Sequence, residues 1–312
     1  MHTFIKAIGF GKKESQAELE DLIKESVLKA NFKSEKIKKS GYKFLEFNRE
    51  FAENIGIIVR GEEDKDGVFH IGNYFPYLKP TIDGIYENEV CIHKKIDSDA
   101  FTGMCDDSRL GISLIFFIQK AVDYVNLEDT EIRERNRIVR LAALAKTGTI
   151  ILPTQKRIYS HIASKIDNAM KTQLMDYAKN GDMEALNYLT NTDIDKSVSA
   201  SERIKHEDLF SIVETSFIPY GSESDLYSVL GNIISAKQIM NNSTGESIWI
   251  IRIICNDIEF EVAINAEDLM GFPSPGMRFK GVIWLQGEVE AMQDLNPENS
   301  MNLNFDDDLP FA

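Results

Sequence analysis

The sequence predicts an α+β protein in four parts. These are an α+β domain over residues 1–153, a helical arm or linker over 154–206, a small β-barrel over 207–290 and a disordered acidic tail over 291–312. Three observations carry this. Apolar residues recur at helical spacing near the N-terminus and again in the middle of the chain. Runs of β-branched and aromatic residues separated by polar turns dominate after residue 208. The last 22 residues are polar, contain proline and hold no lysine or arginine, a composition that buries too little to fold alone.

The first helix is expected over Ser15–Ala30, where Leu19, Leu22, Ile23, Val27 and Leu28 fall on one face. Strands follow at Tyr42–Phe47, Ile55–Arg60, Val68–Tyr77 and Glu89–Ile96, with Gly61–Gly67 as a polar hairpin connection. A second helix is expected from Asp107 or Ser108 to about Val125. It is apolar on nearly every face, as a helix buried against that sheet would be. The charge-rich stretch Glu128–Ala145, with Glu131 and Arg135 four apart, reads as an exposed helix. Thr149–Leu152 reads as a short strand stopped by Pro153.

Ile158, Ile162, Ile166, Met170 and Leu174 repeat every four residues and define the helical arm, with Gly181 and Asp182 as the boundary to a further helix carrying Leu186 and Leu189. Strands then recur at Leu209–Ile218, Leu226–Ile239, Ser247–Cys255, Glu259–Ile264 and Met277–Val289, with a short helix at Ala266–Met270. Three meandering strands, a short helix and a further strand resemble an OB-fold, although a fifth strand is missing when counting starts at Leu226. No internal repeat is visible in the sequence.

Composition narrows the function classes. At 312 residues, with 43% hydrophobic and 27% charged residues, the chain has the make-up of a soluble globular protein. The N-terminus lacks the pattern of a signal peptide and no apolar run is long enough to cross a bilayer, so a cytoplasmic, membrane-free protein is expected. Cys91, Cys105 and Cys255 are isolated thiols without CxxC spacing, which argues against a disulfide framework or a zinc site. The net charge of −15 is concentrated late: residues 207–290 hold 13 Asp/Glu against 4 Lys/Arg. Phosphate backbones need the opposite balance, so direct nucleic-acid binding is disfavoured. Trp249, Phe260, Phe279 and Trp284 are accordingly assigned to the core rather than to base stacking.

No motif specifies a catalyst, metal or cofactor. Gly9-Phe10-Gly11-Lys12-Lys13 lacks the full spacing of a phosphate loop and reads as a turn. His2, His70, His93, His161 and His206 form no ligand pair. Asp106, Asp107 and Arg109 are the candidate catalytic groups; their simpler reading is capping of the helix expected there. Tyr74-Phe75-Pro76-Tyr77 reads as packing. Lys29, Lys33, Lys36, Lys38, Lys39 and Lys43 make the one dense basic stretch, with Lys33, Lys36, Lys38 and Lys39 as a possible anion patch.

Several stretches carry a resemblance to a known family. They include Ala7-Ile8-Gly9-Phe10, Val59-Arg60-Gly61-Glu62, Tyr74-Phe75-Pro76-Tyr77, Cys105-Asp106-Asp107 with Arg109–Phe116, Pro219-Tyr220-Gly221, Asp225–Gly231 and Arg278–Gly287. Together they resemble an uncharacterised clostridial (Firmicute) family defined only as a domain of unknown function, over about residues 1–290. The resemblance implies an intracellular bacterial protein and brings no activity with it.

A separate resemblance lies at the end. Phe305-Asp306-Asp307-Asp308-Leu309-Pro310-Phe311 is similar to the acidic tip of bacterial single-stranded-DNA-binding proteins, which is a docking peptide for replication and repair enzymes. The sequence departs from that tip by ending one residue later, at Ala312. The implied role is a non-enzymatic binding or adaptor protein. Asp306, Asp307 and Asp308 would meet basic groups on the partner, and Leu309, Pro310 and Phe311 would fill its pocket. The alternatives are an enzyme with a site near Asp106, Asp107 and Arg109, or a structural assembly protein. The sequence leaves the oligomeric state open.

Overall fold

The computed structural model describes residues 4–12, 15–95, 100–107, 112–126, 131–153, 183, 213–221 and 225–291. Among them the chain is mostly β, which overturns the α+β expectation. The helix α1 (Gln16–Leu28) forms where expected. Ser15 caps it: its side chain accepts from the Glu18 backbone while the Glu18 carboxylate accepts from the Ser15 N–H, so two otherwise unpaired amides at the helix start are satisfied. Its buried face, Leu19, Leu22 and Ile23, joins a core with Ile57, Val59 and Phe51.

The first sheet is an antiparallel meander of β1 (Phe32–Ile37), β2 (Lys43–Ala52), β3 (Ile55–Glu63) and β4 (Phe69–Leu78), in that order. The connection expected over Gly61–Gly67 is shorter. Gly61 stays in β3, and Asp64 builds the turn by accepting from the backbone of Asp66 and Val68, with Gly67 at φ 79°.

The second sheet has ten strands. They are β5 (Ile85–Lys94), β6 (Phe101–Asp107), β7 (Ile112–Ile118), β8 (Glu131–Ile151), β9 (Ser216–Pro219), β10 (Leu226–Met240), β11 (Ser247–Cys255), β12 (Ile258–Asn265), β13 (Leu269–Met270) and β14 (Arg278–Ala291). A 3₁₀ turn over Ala266–Asp268 replaces most of the short helix expected there.

Two expected helices are strands. The apolar run behind the expected buried helix is β7, paired with β6 on one side and with β14 on the other. Phe116, Phe117 and Ile118 are buried in succession, so this half of the strand lacks the alternation that marks a half-exposed strand. The charged stretch read as an exposed helix is the first half of β8. A spacing of four is even, so Glu131 and Arg135 share a side of a strand as well as of a helix. In the sheet they stand opposite His93 and Glu89 of β5.

The small C-terminal barrel is also corrected. The strands after residue 225 do not close on themselves: β12 pairs in parallel with β8, and β8 pairs along its length with β14. The strand missing from the C-terminal set is therefore supplied from before residue 153, within one large sheet. The helical arm expected over 154–206 lies, apart from Met183, outside the described residues, and no helical arm occurs among those that are described. Ala291 ends β14; the remainder of the expected tail is likewise outside them.

The strand pairings repeat about a local two-fold axis that the sequence does not advertise. β5-β6-β7-β8 and β10-β11-β12-β14 have the same neighbours in the same senses. The parallel pairs Phe117·Gln286 and Ile118·Gly287 of β7–β14 have counterparts in Glu261·Ala142 and Val262·Ala143 of β12–β8. One constant offset relates both sets. It maps the antiparallel pair Ala142·Gln286 onto itself. Alanine stands at one of these equivalent positions and glutamine at the other, and it is at the glutamine that the small sheet attaches.

Candidate functional site

The residues singled out by sequence are dispersed. Asp106, near the end of β6, accepts from the Ser113 hydroxyl at 2.7 Å across the β6–β7 pair. It lies in a depression of about 190 Å³ with Glu87, Glu89, Cys91 and Cys105. Asp107 is the last residue of β6, and Ser108 and Arg109 are outside the described residues. The lysines on and around β1 are threaded among carboxylates. Lys33 pairs with Glu35 at 3.4 Å and Lys38 with Glu62, while the Lys36 ammonium donates to the Asp123 carbonyl at 3.2 Å and the Lys39 N–H to Asn126 at 3.1 Å. Phe305 to Phe311 lie outside the described residues. Phe260, Phe279 and Trp284 are buried, and Trp249 packs edge-on to Phe272.

The turn at Gly9–Lys12 has a partner of its own. The N–H groups of Gly11 and Lys12 donate to the Glu246 carboxylate at 2.8 and 3.1 Å, and Asn265 Nδ2 donates to the same group at 2.7 Å. Asn241 Nδ2 donates to the Ile8 carbonyl and the Thr244 hydroxyl to that of Gly9. The backbone amides that could have cradled a phosphate hold an internal carboxylate instead. Gly9 has φ 84°, and a Cβ there would stand 2.8 Å from that of Asn241, so this clamp requires glycine.

The site that sequence reasoning missed is a cleft of about 370 Å³ between the small sheet and the strand ends of β7 and β14. Three rungs of the small sheet build one wall. Ser34, Glu46 and Arg60 are register neighbours, as are Phe32, Asn48 and Ile58, and then Glu50, Gly56 and Tyr77. Gly56 has a specific task here. A Cβ on it would come within 2.8 Å of the Tyr77 ring and hydroxyl, so its absence lets that ring lie across β3 and donate to Asn48 Oδ1 at 2.6 Å.

The opposite wall is the segment leaving β7. The Gln119 N–H donates to the Gly287 carbonyl, and a turn at Ala121–Tyr124 follows. Asn126 stitches that turn to the end of β1 by donating to the Ile37 carbonyl at 2.8 Å.

Charge and burial set the chemistry of the floor. Arg60 is 1% exposed; its Nε donates to Glu46 at 2.7 Å, its Nη2 reaches the Gln119 carbonyl, and its guanidinium lies 4.5 Å from the Phe75 ring centre. This buried pair bolts the small sheet to the end of β7. Glu288, on β14, accepts from Lys120 at 2.7 Å. Burial pushes the Tyr77 phenol well above its usual range, and the Glu50 and Glu288 carboxylates push it further the same way. In the lining of the cleft the carboxylates of Glu46, Glu50, Asp123 and Glu288 outnumber the ammonium groups of Lys79 and Lys120. Among the described residues no three His, Cys, Asp or Glu side chains gather as a metal site, and no helix is long and apolar enough to cross a membrane.

A local signal for this cleft was present in the sequence only as single residues: Arg60 and Glu46 inside apolar strands, and Gln119 directly after an apolar run. No spacing rule joins them, because strand pairing brings them together.

No curated protein and no solved structure matches the chain. One family model does, over residues 5–287, under the description "Domain of unknown function, E. rectale Gene description (DUF3881)". That span takes in α1, the small sheet and all of the large sheet but the last residues of β14, and the chain belongs to this family of unknown function.

Proposed function

We propose that this protein is a non-enzymatic, cytoplasmic binding or adaptor protein whose C-terminal tip docks onto enzymes of DNA replication or repair. The observation that carries the reading is the run Phe305-Asp306-Asp307-Asp308-Leu309-Pro310-Phe311. Leu309 and Phe311 are suited to a small apolar pocket, and the three carboxylates to a rim of lysine and arginine. Two further facts support it. The last described strand ends at Ala291, which is exposed. The acidic balance of residues 207–290 disfavours contact with the nucleic acid itself.

The test is an immobilised peptide of residues 304–312, exposed to lysate of a related bacterium. It should retain replication or repair enzymes, and a peptide with Asp306, Asp307 and Asp308 replaced by asparagine should release them at lower salt. Retention of the same proteins by both peptides would remove the reading.

A further inference from the structure

The inter-sheet cleft is lined by side chains that offer it oxygen acceptors, Glu46, Gln119 and Glu288 among them. Gln119 is 2% exposed and lines the cleft. Both hydrogens of its amide are used, on the Leu78 carbonyl at 2.8 Å and on Gln286 Oε1 at 2.9 Å. Those acceptors fix which end of the amide is which, because Gln286 in turn donates its own Nε2 to the Pro76 carbonyl at 2.9 Å. The Gln119 side chain, with both amide hydrogens spent, has only its Oε1 acceptor left to offer the cleft it lines. Glu46 and Glu288 are 7% and 6% exposed, and each engages one carboxylate oxygen, with Arg60 and Lys120 respectively. The Tyr77 hydroxyl has given its proton to Asn48 and offers the cleft only a lone pair.

A hollow lined by carboxylates and by an amide whose hydrogens are spent suits a donor-rich, cationic occupant, because charge-assisted hydrogen bonds to carboxylates are the strong ones. Glu50 and Asp123 stand at the mouth and extend the same sign outward. Lys79 and Lys120 also stand there, and Lys120 already serves Glu288. A bare metal ion does not fit the donor set, because among the described residues no three candidate ligands converge. The cleft's volume lies in the range of small-molecule sites.

We propose that this cleft binds a small organic cation, a molecule carrying a protonated amine or guanidinium whose N–H groups reach Gln119 Oε1 and the open oxygens of Glu46 and Glu288. The site is independent of the C-terminal tip and stands or falls without it.

The experiment uses the full chain labelled with 15N and follows the Gln119 side-chain amide by NMR, with calorimetry alongside. Arginine amide and cadaverine are the cationic probes; inorganic phosphate and succinate are the anionic controls. Saturable binding of a cationic probe that moves the Gln119 signal is expected. Glu50→Gln, which removes one negative charge at the exposed mouth, should weaken it about tenfold. Glu50→Gln alters no buried group, so the fold persists and the loss is readable. Absence of any cationic binding up to about 10 mM, binding that leaves the Gln119 amide unmoved, or equal binding of phosphate would each overturn the proposal and identify the hollow as a water-filled seam.

Discussion

Gln119 donates to Gln286 across 2.9 Å, and these two buried amides tie the small sheet to the large one. Each also donates to a carbonyl of β4, at Leu78 and at Pro76. Gln286 stands opposite Ala142 in the pair that the local two-fold relation maps onto itself. The glutamine thus breaks the symmetry of the strand pairing at the place where the cleft forms. An alanine there would leave the buried Pro76 carbonyl and one hydrogen of the Gln119 amide without a partner.

The Arg60–Glu46 pair is expected to behave as a buried ion pair whose removal is felt only when it is halved. Arg60→Met leaves the Glu46 carboxylate buried and unpaired and should cost about 3–5 kcal/mol. Adding Glu46→Leu to it should recover a large part of that loss. Urea unfolding of the two single variants and the double one measures the coupling. A double variant no more stable than Arg60→Met would show that the pair is not the unit described.

Glu246 is expected to hold the N-terminal turn in place. Glu246→Ala removes the acceptor of three donors, Gly11 N–H, Lys12 N–H and Asn265 Nδ2. Hydrogen bonds to a charged group contribute about 1.5–3 kcal/mol each at most, so a loss of at least about 2 kcal/mol is expected. Amide exchange should accelerate at Gly11 and Lys12 ahead of α1. Unchanged protection at those two amides would refute the clamp.

The thiols are expected to differ sharply in reactivity. Cys255 is buried, its Sγ donates to the Ser216 and Leu230 carbonyls, and burial pushes its pKa up to about 12. Cys91 is only half-buried. Iodoacetamide at pH 8 should therefore modify Cys91 in the native protein and reach Cys255 only on unfolding, because the thiolate is the attacking species. Mass mapping of the labelled peptides decides it, and labelling of native Cys255 first would contradict the packing of β10 and β11.

Acid should weaken one exposed contact between α1 and the small sheet in a defined window. Lys29 and then Arg49, bonded to Glu25, hold that carboxylate down from 4.5 to about 2. A carboxylate with a depressed folded pKa contributes stability that is fully present above its unfolded value and disappears as pH falls through the folded one. For Glu25 the window runs from 4.5 down to about 2. A carboxyl-selective NMR titration should place its midpoint near the lower end, and Lys29→Ala should raise it. A midpoint near 4.5 in the unaltered chain would show that the bridge does not persist in solution.

Parts of this architecture were legible in the sequence. Ser15 and Glu18 announce a helix start, and β11 begins and ends where the apolar run Ser247–Cys255 does. The errors share a physical cause. The second half of β7, Phe116 to Ile118, is buried on both sides and lost its alternation, while the charges of β8 fall at a spacing common to strands and helices. The partnership of β8 with β12 and β14 is non-local, so no window of sequence contains it. The cleft was hidden for the same reason. Glu46, Arg60, Gln119 and Glu288 come from four separate stretches, and the small sheet must dock on β7 and β14 before they share a space.

The most direct measurement for the adaptor role compares the full chain with a version ending at Asn304 as bait in one lysate. The account predicts that replication or repair enzymes are recovered by the full chain and vanish with the truncation, while the thermal stability of the two baits stays the same. An identical partner list from both would contradict it, and would return attention to the cleft between the two sheets.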